Sequence, residues 1–140
     1  MNSGRILNDD VAVKNVLEHT RTIAILGLSP KPERDSHKVA RYLQSKGYKI
    51  IPVRPGQKEI LGEKAYASLD DIDETMDMID VFRSPEYIMS HALEAIRQQP
   101  KVFWMQLGIK HPEAAEMLTK AGIDVVMDKC LKVEHARLFT

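Results

Sequence analysis

The sequence is poor in what staples, anchors or broadly charges a chain. It holds one cysteine, Cys130, so no disulfide can close within it and no thiolate set exists for a zinc cluster. Its 20 basic and 20 acidic residues cancel to a formal net charge of zero. That removes the broad positive field by which nucleic acid or an acidic membrane surface is attracted. No apolar stretch approaches the roughly 18 residues a membrane helix needs. The opening "MNSGRILNDD" has neither the charged nor the apolar region of a secretory leader. The histidines His19, His37, His91, His111 and His135 are scattered, not spaced as metal ligands. There is no Gly-x-Ser-x-Gly elbow and no Gly-x-x-x-x-Gly-Lys loop. The expectation is a cytoplasmic chain with no metal, no nucleic acid and no membrane contact. A protein partner or a homo-oligomer stays open.

What is present is a regular alternation. With 140 residues, 44% of them apolar, the chain can bury a core, and we expect a single domain over 1–140. Asn8 or Asp9 can cap a first helix carrying Val11, Val13, Val16 and Leu17. "TIAILGL" is a short apolar run ending at glycine, and predicts a buried strand. Ser36 is the expected cap of a helix with Val39, Ala40 and Leu43 on one face, closed by Gly47. "YKIIPVRP" predicts a second strand and "LGEKAYASLDDI" an irregular connection. The six carboxylates of residues 70–80, "DDIDETMDMID", read as a solvated acidic turn leading into the strand "MDMIDVF". Pro85 opens a helix with Ile88, Ala92, Ala95 and Ile96 inward. "KVFWMQL" is a fourth strand, with Trp104 in the packing. A helix from Glu113 to Ala121 follows, with Ala114, Leu118 and Ala121 inward. "IDVVMD" is a fifth strand, and "LKVEHARLF" ends the chain in a helical turn or two.

Strands that alternate with helices pair in parallel through right-handed crossovers, and apolar strands imply a sheet covered on both faces. The fold class is therefore α/β: a Rossmann-like, doubly wound parallel sheet in three layers. Such folds bind ligands outside the carboxyl ends of their strands. The loops at 27–36, 53–56, 82–85, 106–111 and 128–131 are thus the candidates.

The first of these reads as a phosphate cradle. Gly27 lies where strand turns toward helix, and a side chain there would block a phosphate. On that ground Gly27→Val is expected to abolish binding and leave the fold largely intact. Ser29 offers a hydroxyl, Arg34 a fork of donors, and Ser36 a helix N-terminus with free N–H groups. The same residues also read as an ordinary capped loop with Arg34 in solvent. NAD fits poorly. Its Gly-x-Gly-x-x-Gly fingerprint is here Gly27-Leu28-Ser29-Pro30-Lys31-Pro32, and the carboxylate it wants after the second strand is replaced by Arg54, next to Val53. An arginine there permits a ribose phosphate, as in NADP or the 3′-phospho-ADP end of coenzyme A.

Six blocks in order carry a resemblance: "GLSPKPERDSHKVARYL", "GYKIIPVRPG", "LGEKAYASLDDI", "DVFRSPEY", "VFWMQLGI" and "VVMDKCLKVEHARL". Over about 22–138 the chain resembles the small stand-alone CoA-binding proteins, themselves similar to the CoA-binding domain of the succinyl-CoA synthetase alpha subunit. The resemblance implies coenzyme A, or an acyl-CoA, lying across the strand ends. Gly27, Ser29, Arg34 and Ser36 match the family's first loop. Where the family commonly has Pro-Val-Asn-Pro, this chain has Pro52-Val53-Arg54-Pro55. Arg83 and Ser84 in "FRSPEY" are then expected beside the CoA chain, with Gln106 facing the ligand mouth and Gly108 letting backbone approach. Cys130 follows the last strand at the same edge. It reads either as a small buried side chain or as a neighbour of the CoA thiol. His111 reads as a helix cap before Pro112, and His135 as helix packing. The acyl-CoA synthetases of this type carry a phosphorylated histidine on a further domain, so binding without catalysis is expected here. The rival expectations are a NADP-dependent reductase and a regulatory module with a vestigial pocket.

Overall fold

The computed structural model describes residues 3–139. A helix α1 (Asp10–Glu18) precedes the first strand, capped by Asp9, whose carboxylate accepts from the Ala12 N–H at 2.8 Å. Then come β1 (Thr22–Leu26), α2 (Asp35–Ser45) and β2 (Lys49–Val53). A small antiparallel pair, β3 (Glu59–Ile60) and β4 (Glu63–Lys64), interrupts the connection expected to be irregular. It is followed by β5 (Met78–Val81), α3 (Ile88–Gln98), β6 (Val102–Met105), α4 (Pro112–Lys120), β7 (Asp124–Val126) and α5 (Leu131–Leu138). Pro85 opens a single 3₁₀ turn ahead of α3.

The sheet runs β2-β1-β5-β6-β7, every pair parallel. Crossovers go outward from β1 to β2, then return to β5 on the other side of β1. The topological switch point is thus between β1 and β5, where a crevice opens at the carboxyl edge. Alternate strand residues face two cores. Val39, Ala40 and Leu43 of α2, with Val13, Leu17 and Leu131, cover one face; Ile88, Ala92, Ala95, Ala114 and Leu118 of α3 and α4 cover the other. This is the doubly wound α/β sheet expected from the apolar runs. Trp104 is fully buried, and its indole N–H donates to the Lys129 carbonyl at 2.8 Å, so the ring packs without an orphaned donor.

Both sheet edges are partly covered, which blunts pairing with other chains. At the β7 edge, Leu7 N–H donates to the Val125 carbonyl and Val125 N–H to the Arg5 carbonyl, a one-bridge strand in a segment the sequence left unassigned. At the β2 edge, Tyr66 exchanges bonds with Pro52 and Arg54.

Gly27 corrects an expectation. Its φ is +80°, and a Cβ there would overlap the carbonyl oxygen of Phe82, with Arg83 Cδ at 3.2 Å. The glycine is required by the chain itself, because the ends of β1 and β5 approach too closely for a side chain. A side chain there forces the backbone at the end of β1 or β5 to shift, so a substitution costs stability as well as binding. Gly47, at φ +93° after α2, has nothing within 4 Å of such a Cβ. Gly27→Ala is therefore expected to lose about 2–4 kcal/mol, backbone strain plus overpacking, and Gly47→Ala only about 1–2 kcal/mol of strain. Urea denaturation of the two variants measures this; equal losses would contradict the close approach.

Candidate functional site

The loops at the carboxyl edge enclose two adjoining cavities that share Asp35 and Phe82 in their walls. The first, about 540 Å³, is polar. Gly27, Ser29, Arg34, Ser36 and Arg54 line it, joined by Lys31 and Gln57. The second, about 490 Å³, is largely apolar. Val39, Phe82, Leu107, Ile109 and Val133 line it with Arg83, Gln106 and Cys130. A small third cavity of about 110 Å³ lies between Val53, Pro55, Ala67, Arg83 and His91.

The first loop is braced by its own bonds. Ser29 N–H donates to Ser36 Oγ at 2.9 Å, and Lys31 N–H donates to Ser29 Oγ at 3.1 Å. The Ser29 carbonyl bonds His37 Nδ1 at 2.9 Å, and since a carbonyl only accepts, the proton sits on Nδ1. Ser36 is therefore not the helix cap; Arg34 holds that position, and no side chain caps α2. The serine is the second residue of the helix, and its hydroxyl is spent on the loop. With no side chain over it, the N-terminus of α2 keeps unpaired N–H groups, where anions are favoured. Asp35 stands at this end, but Lys31, Arg34 and Arg54 outnumber it. Arg54 Nη1 donates to the Gly27 carbonyl at 3.3 Å, which pins the guanidinium over the loop.

The remaining candidates divide. Arg83 lines two cavities, lies 4.4 Å from the centroid of the Tyr87 ring, and keeps a buried Nε with no partner. Val53 borders the small cavity, and Cys130 lies half-buried in the N-cap position of α5. Two candidates are not brought in. Ser84 is exposed and lines none of the three cavities, because the turn that follows points it outward. Gly108 also lines none; its N–H donates to Asp128 Oδ1 at 2.7 Å and ties the loop after β6 to the one after β7. His111 caps α4 through Nδ1, which accepts from the Ala114 N–H at 3.1 Å. His135 lies away from this edge. It bonds the Tyr42 hydroxyl, and its ring stacks on Phe139 with centroids 4.6 Å apart. Burial holds its pKa below the ordinary value.

The residue missed from sequence is Asp80. Read as part of an acidic turn, it stands inside β5 and is fully buried. Its Oδ1 accepts from Gln106 Nε2 at 2.6 Å, while Oδ2 has no partner. Burial without a counter-charge pushes its pKa up to about 7, against the opposing effects of the Gln106 bond and the Val81 N–H. A signal existed: the run Met78–Val81 has no other charged position, and a carboxylate amid four strand residues is not a turn.

The raised pKa fixes a pH dependence. Between pH ~4 and ~7 the folded chain keeps a proton that the unfolded chain releases. Stability therefore falls as pH rises through this window and levels off above it. Asp80→Asn removes the titration. The stability difference should shift in favour of the variant by about 2–3 kcal/mol from pH 5 to pH 8, measured by denaturant titration. A difference independent of pH would show that Asp80 titrates normally.

Residues 21–136 match the family model described as the CoA binding domain. YneT of Bacillus subtilis (strain 168) is 44% identical over 124 residues, covering 89% of this chain and 92% of its own. A solved protein of Thermus thermophilus superposes with a TM-score of 0.90 at 46% identity, covering 94% of this chain and all of its own. A hypothetical protein from Pyrococcus horikoshii OT3 superposes with a TM-score of 0.91 at 35% identity, with complete coverage of both chains. The family model spans nearly the whole described sheet and all five carboxyl-edge loops, and so the chain belongs to the CoA binding domain family.

Proposed function

We propose that the joined cavities hold coenzyme A or an acyl-CoA, and that the chain binds this ligand without carrying out a reaction by itself. The observation that carries the reading is the pairing of a cationic cavity with an apolar one across a shared wall, ending at the single thiol. Coenzyme A has the same division: a polyanionic nucleotide head and a long, weakly polar arm ending in sulfur. In this reading the pyrophosphate lies at the N-terminus of α2, and Arg34 or Arg54 pairs with the ribose 3′-phosphate. The small cavity beside Val53 takes the base, with the unpaired Nε of Arg83 and Nε2 of His91 as its polar contacts. The pantetheine arm runs past Phe82 and Gln106 toward Cys130.

NADP would satisfy the same arginines, so the second cavity is what separates the two ligands. Its walls of Val39, Leu107, Ile109 and Val133 suit an extended arm, with Asp35, Lys38, Arg83, Gln106 and Lys132 as the polar part of the lining.

Two outcomes are expected. Coenzyme A should bind more tightly than dephospho-CoA by roughly 10- to 150-fold, the worth of one charge-assisted hydrogen bond. Calorimetric titration of Arg34→Ala and Arg54→Ala should show the preference lost in one of them. Equal affinity of the two ligands in the unaltered protein would remove the 3′-phosphate role from both arginines. The second outcome concerns Cys130. With the symmetrical disulfide of coenzyme A, its thiolate should attack one sulfur, forming a mixed disulfide and releasing one coenzyme A thiol. Because binding holds the reagent in place, this should run at least about 10-fold faster than with glutathione disulfide. Mass spectrometry should show one adduct, absent from Cys130→Ser. Equal rates with both reagents would move the thiol end elsewhere.

A further inference from the structure

Asp80 is the one fully buried carboxylate among the described residues. Its register partners on the neighbouring strands are Ile25 and Trp104, neither of which supplies a charge. The group it meets is the Gln106 amide, which is itself nearly buried and lines the apolar cavity. Gln106 Oε1 in turn accepts from the N–H of Leu131, the first residue of α5, at 3.3 Å. Leu131 follows Cys130, so three elements are linked in line: the middle of the sheet, the floor of the cavity, and the helix start that bears the thiol.

This arrangement admits one orientation of the amide. The Leu131 N–H can only donate, so it requires the amide oxygen. The Asp80 oxygen then receives the nitrogen. Flipping the amide would set two donors against each other at Leu131. The nitrogen carries two hydrogens, and Asp80 takes one of them. Among the described residues it makes no second hydrogen bond. A carboxylate without a counter-ion in a sheet centre is costly to keep. A valine would fill the strand position as well, and the cavity wall would then lose its fixed donor.

We propose that Asp80 is a positioning residue that sets the specificity of the thiol end: its carboxyl locks the Gln106 amide so that the second N–H is presented to a carbonyl of the ligand's pantetheine arm or thioester, while the amide oxygen holds the first turn of α5 against the cavity. The inference rests on the coenzyme A reading above. It adds that recognition of the arm, and not of the nucleotide head, depends on a residue that touches no ligand.

The test is calorimetric titration with two ligands, coenzyme A and adenosine 3′,5′-bisphosphate, which has the phosphates and base but no arm. Asp80→Ala should weaken coenzyme A by about 3- to 10-fold, the worth of one neutral hydrogen bond, and leave the bisphosphate unchanged. The unchanged bisphosphate also reports that the variant is folded. Asp80→Asn, whose side-chain oxygen can still accept from Gln106, should restore coenzyme A affinity to within about 2-fold. Gln106→Leu should match Asp80→Ala, and the double variant should be no weaker than Gln106→Leu alone, as for two residues acting through one contact. Undiminished coenzyme A affinity in Asp80→Ala, equal weakening of both ligands, or additive losses in the double variant would each overturn the inference. So would an unaltered protein that binds coenzyme A no more tightly than the bisphosphate, which leaves the nucleotide reading standing. An unaltered protein that binds neither ligand overturns the coenzyme A reading, and this inference with it.

Discussion

The close approach of Gly27 to Phe82 is the constraint on which the carboxyl edge depends. Phe82 N–H continues the ladder by donating to the Leu26 carbonyl at 2.9 Å, and Gly27 N–H donates to the Val53 carbonyl at 2.9 Å. One glycine is therefore held from β2 on one side and crowded by the end of β5 on the other. The Arg54 guanidinium then bonds the Gly27 carbonyl and closes the third side. A chain turning here without a side chain can leave the sheet sharply and start α2 above the switch point. Phe82, the residue that forbids the side chain, is also the wall common to both large cavities. The seam between β1 and β5 thus fixes where the polar and apolar compartments meet.

How much of this was legible in the sequence can be judged residue by residue. The strands were legible because each is an apolar run stopped by glycine, proline or a polar loop, and burial on both faces leaves little room for other patterns. Gly47, at positive φ, ended its helix as expected. The N-cap of α2 was not legible. Ser36 has the right chemistry for a cap, but a hydroxyl can serve a loop N–H as readily as a helix N–H, and Ser29 is seven residues away. The strand-like segment at Arg5–Leu7 was hidden for a similar reason. Its pairing is to an edge strand over a hundred residues distant, with few apolar residues of its own to mark it.

For the site, the loops were legible and the orientations within them were not. Arg34, Arg54, Gln106 and Cys130 reach the cavities because strand ends dictate where those loops lie. Ser84 and Gly108 occupy equally good loops and point elsewhere, because local turns decide it: the 3₁₀ turn at Pro85 in one case, the bond to Asp128 in the other. Asp80 was the larger omission. A run of carboxylates invites one reading for all of them, yet Asp77 and Asp80 already diverge. Asp77 sits at the strand entrance and accepts from the N–H groups of Arg21 and Thr22, as a loop carboxylate does. Asp80 is three residues further along an extended chain and so lies well inside the sheet.

That separation explains why one carboxylate in the run is costly and the others are not. Those at 70–77 face solvent, a cation or backbone N–H groups, as the Asp70 pair with Arg97 at 2.7 Å illustrates. Such exposed pairs contribute little and cost little. Asp80 has given up its hydration for the Gln106 amide hydrogen, with the Val81 N–H beside it, and its Oδ2 has no hydrogen-bond partner. A fold gains nothing in stability from that exchange, since an apolar residue of similar size would pack the same space without desolvating a charge. The elements around it have no need of the carboxylate either, because the sheet register is set by backbone pairing on both sides of β5. What the carboxylate alone supplies is an acceptor fixed at one point beneath the cavity floor. The group that uses this acceptor, Gln106, is also the link between the floor and the helix bearing Cys130. The energetic penalty is therefore located where orientation of a single amide matters, and that is the physical ground for reading it as part of the site and not of the core.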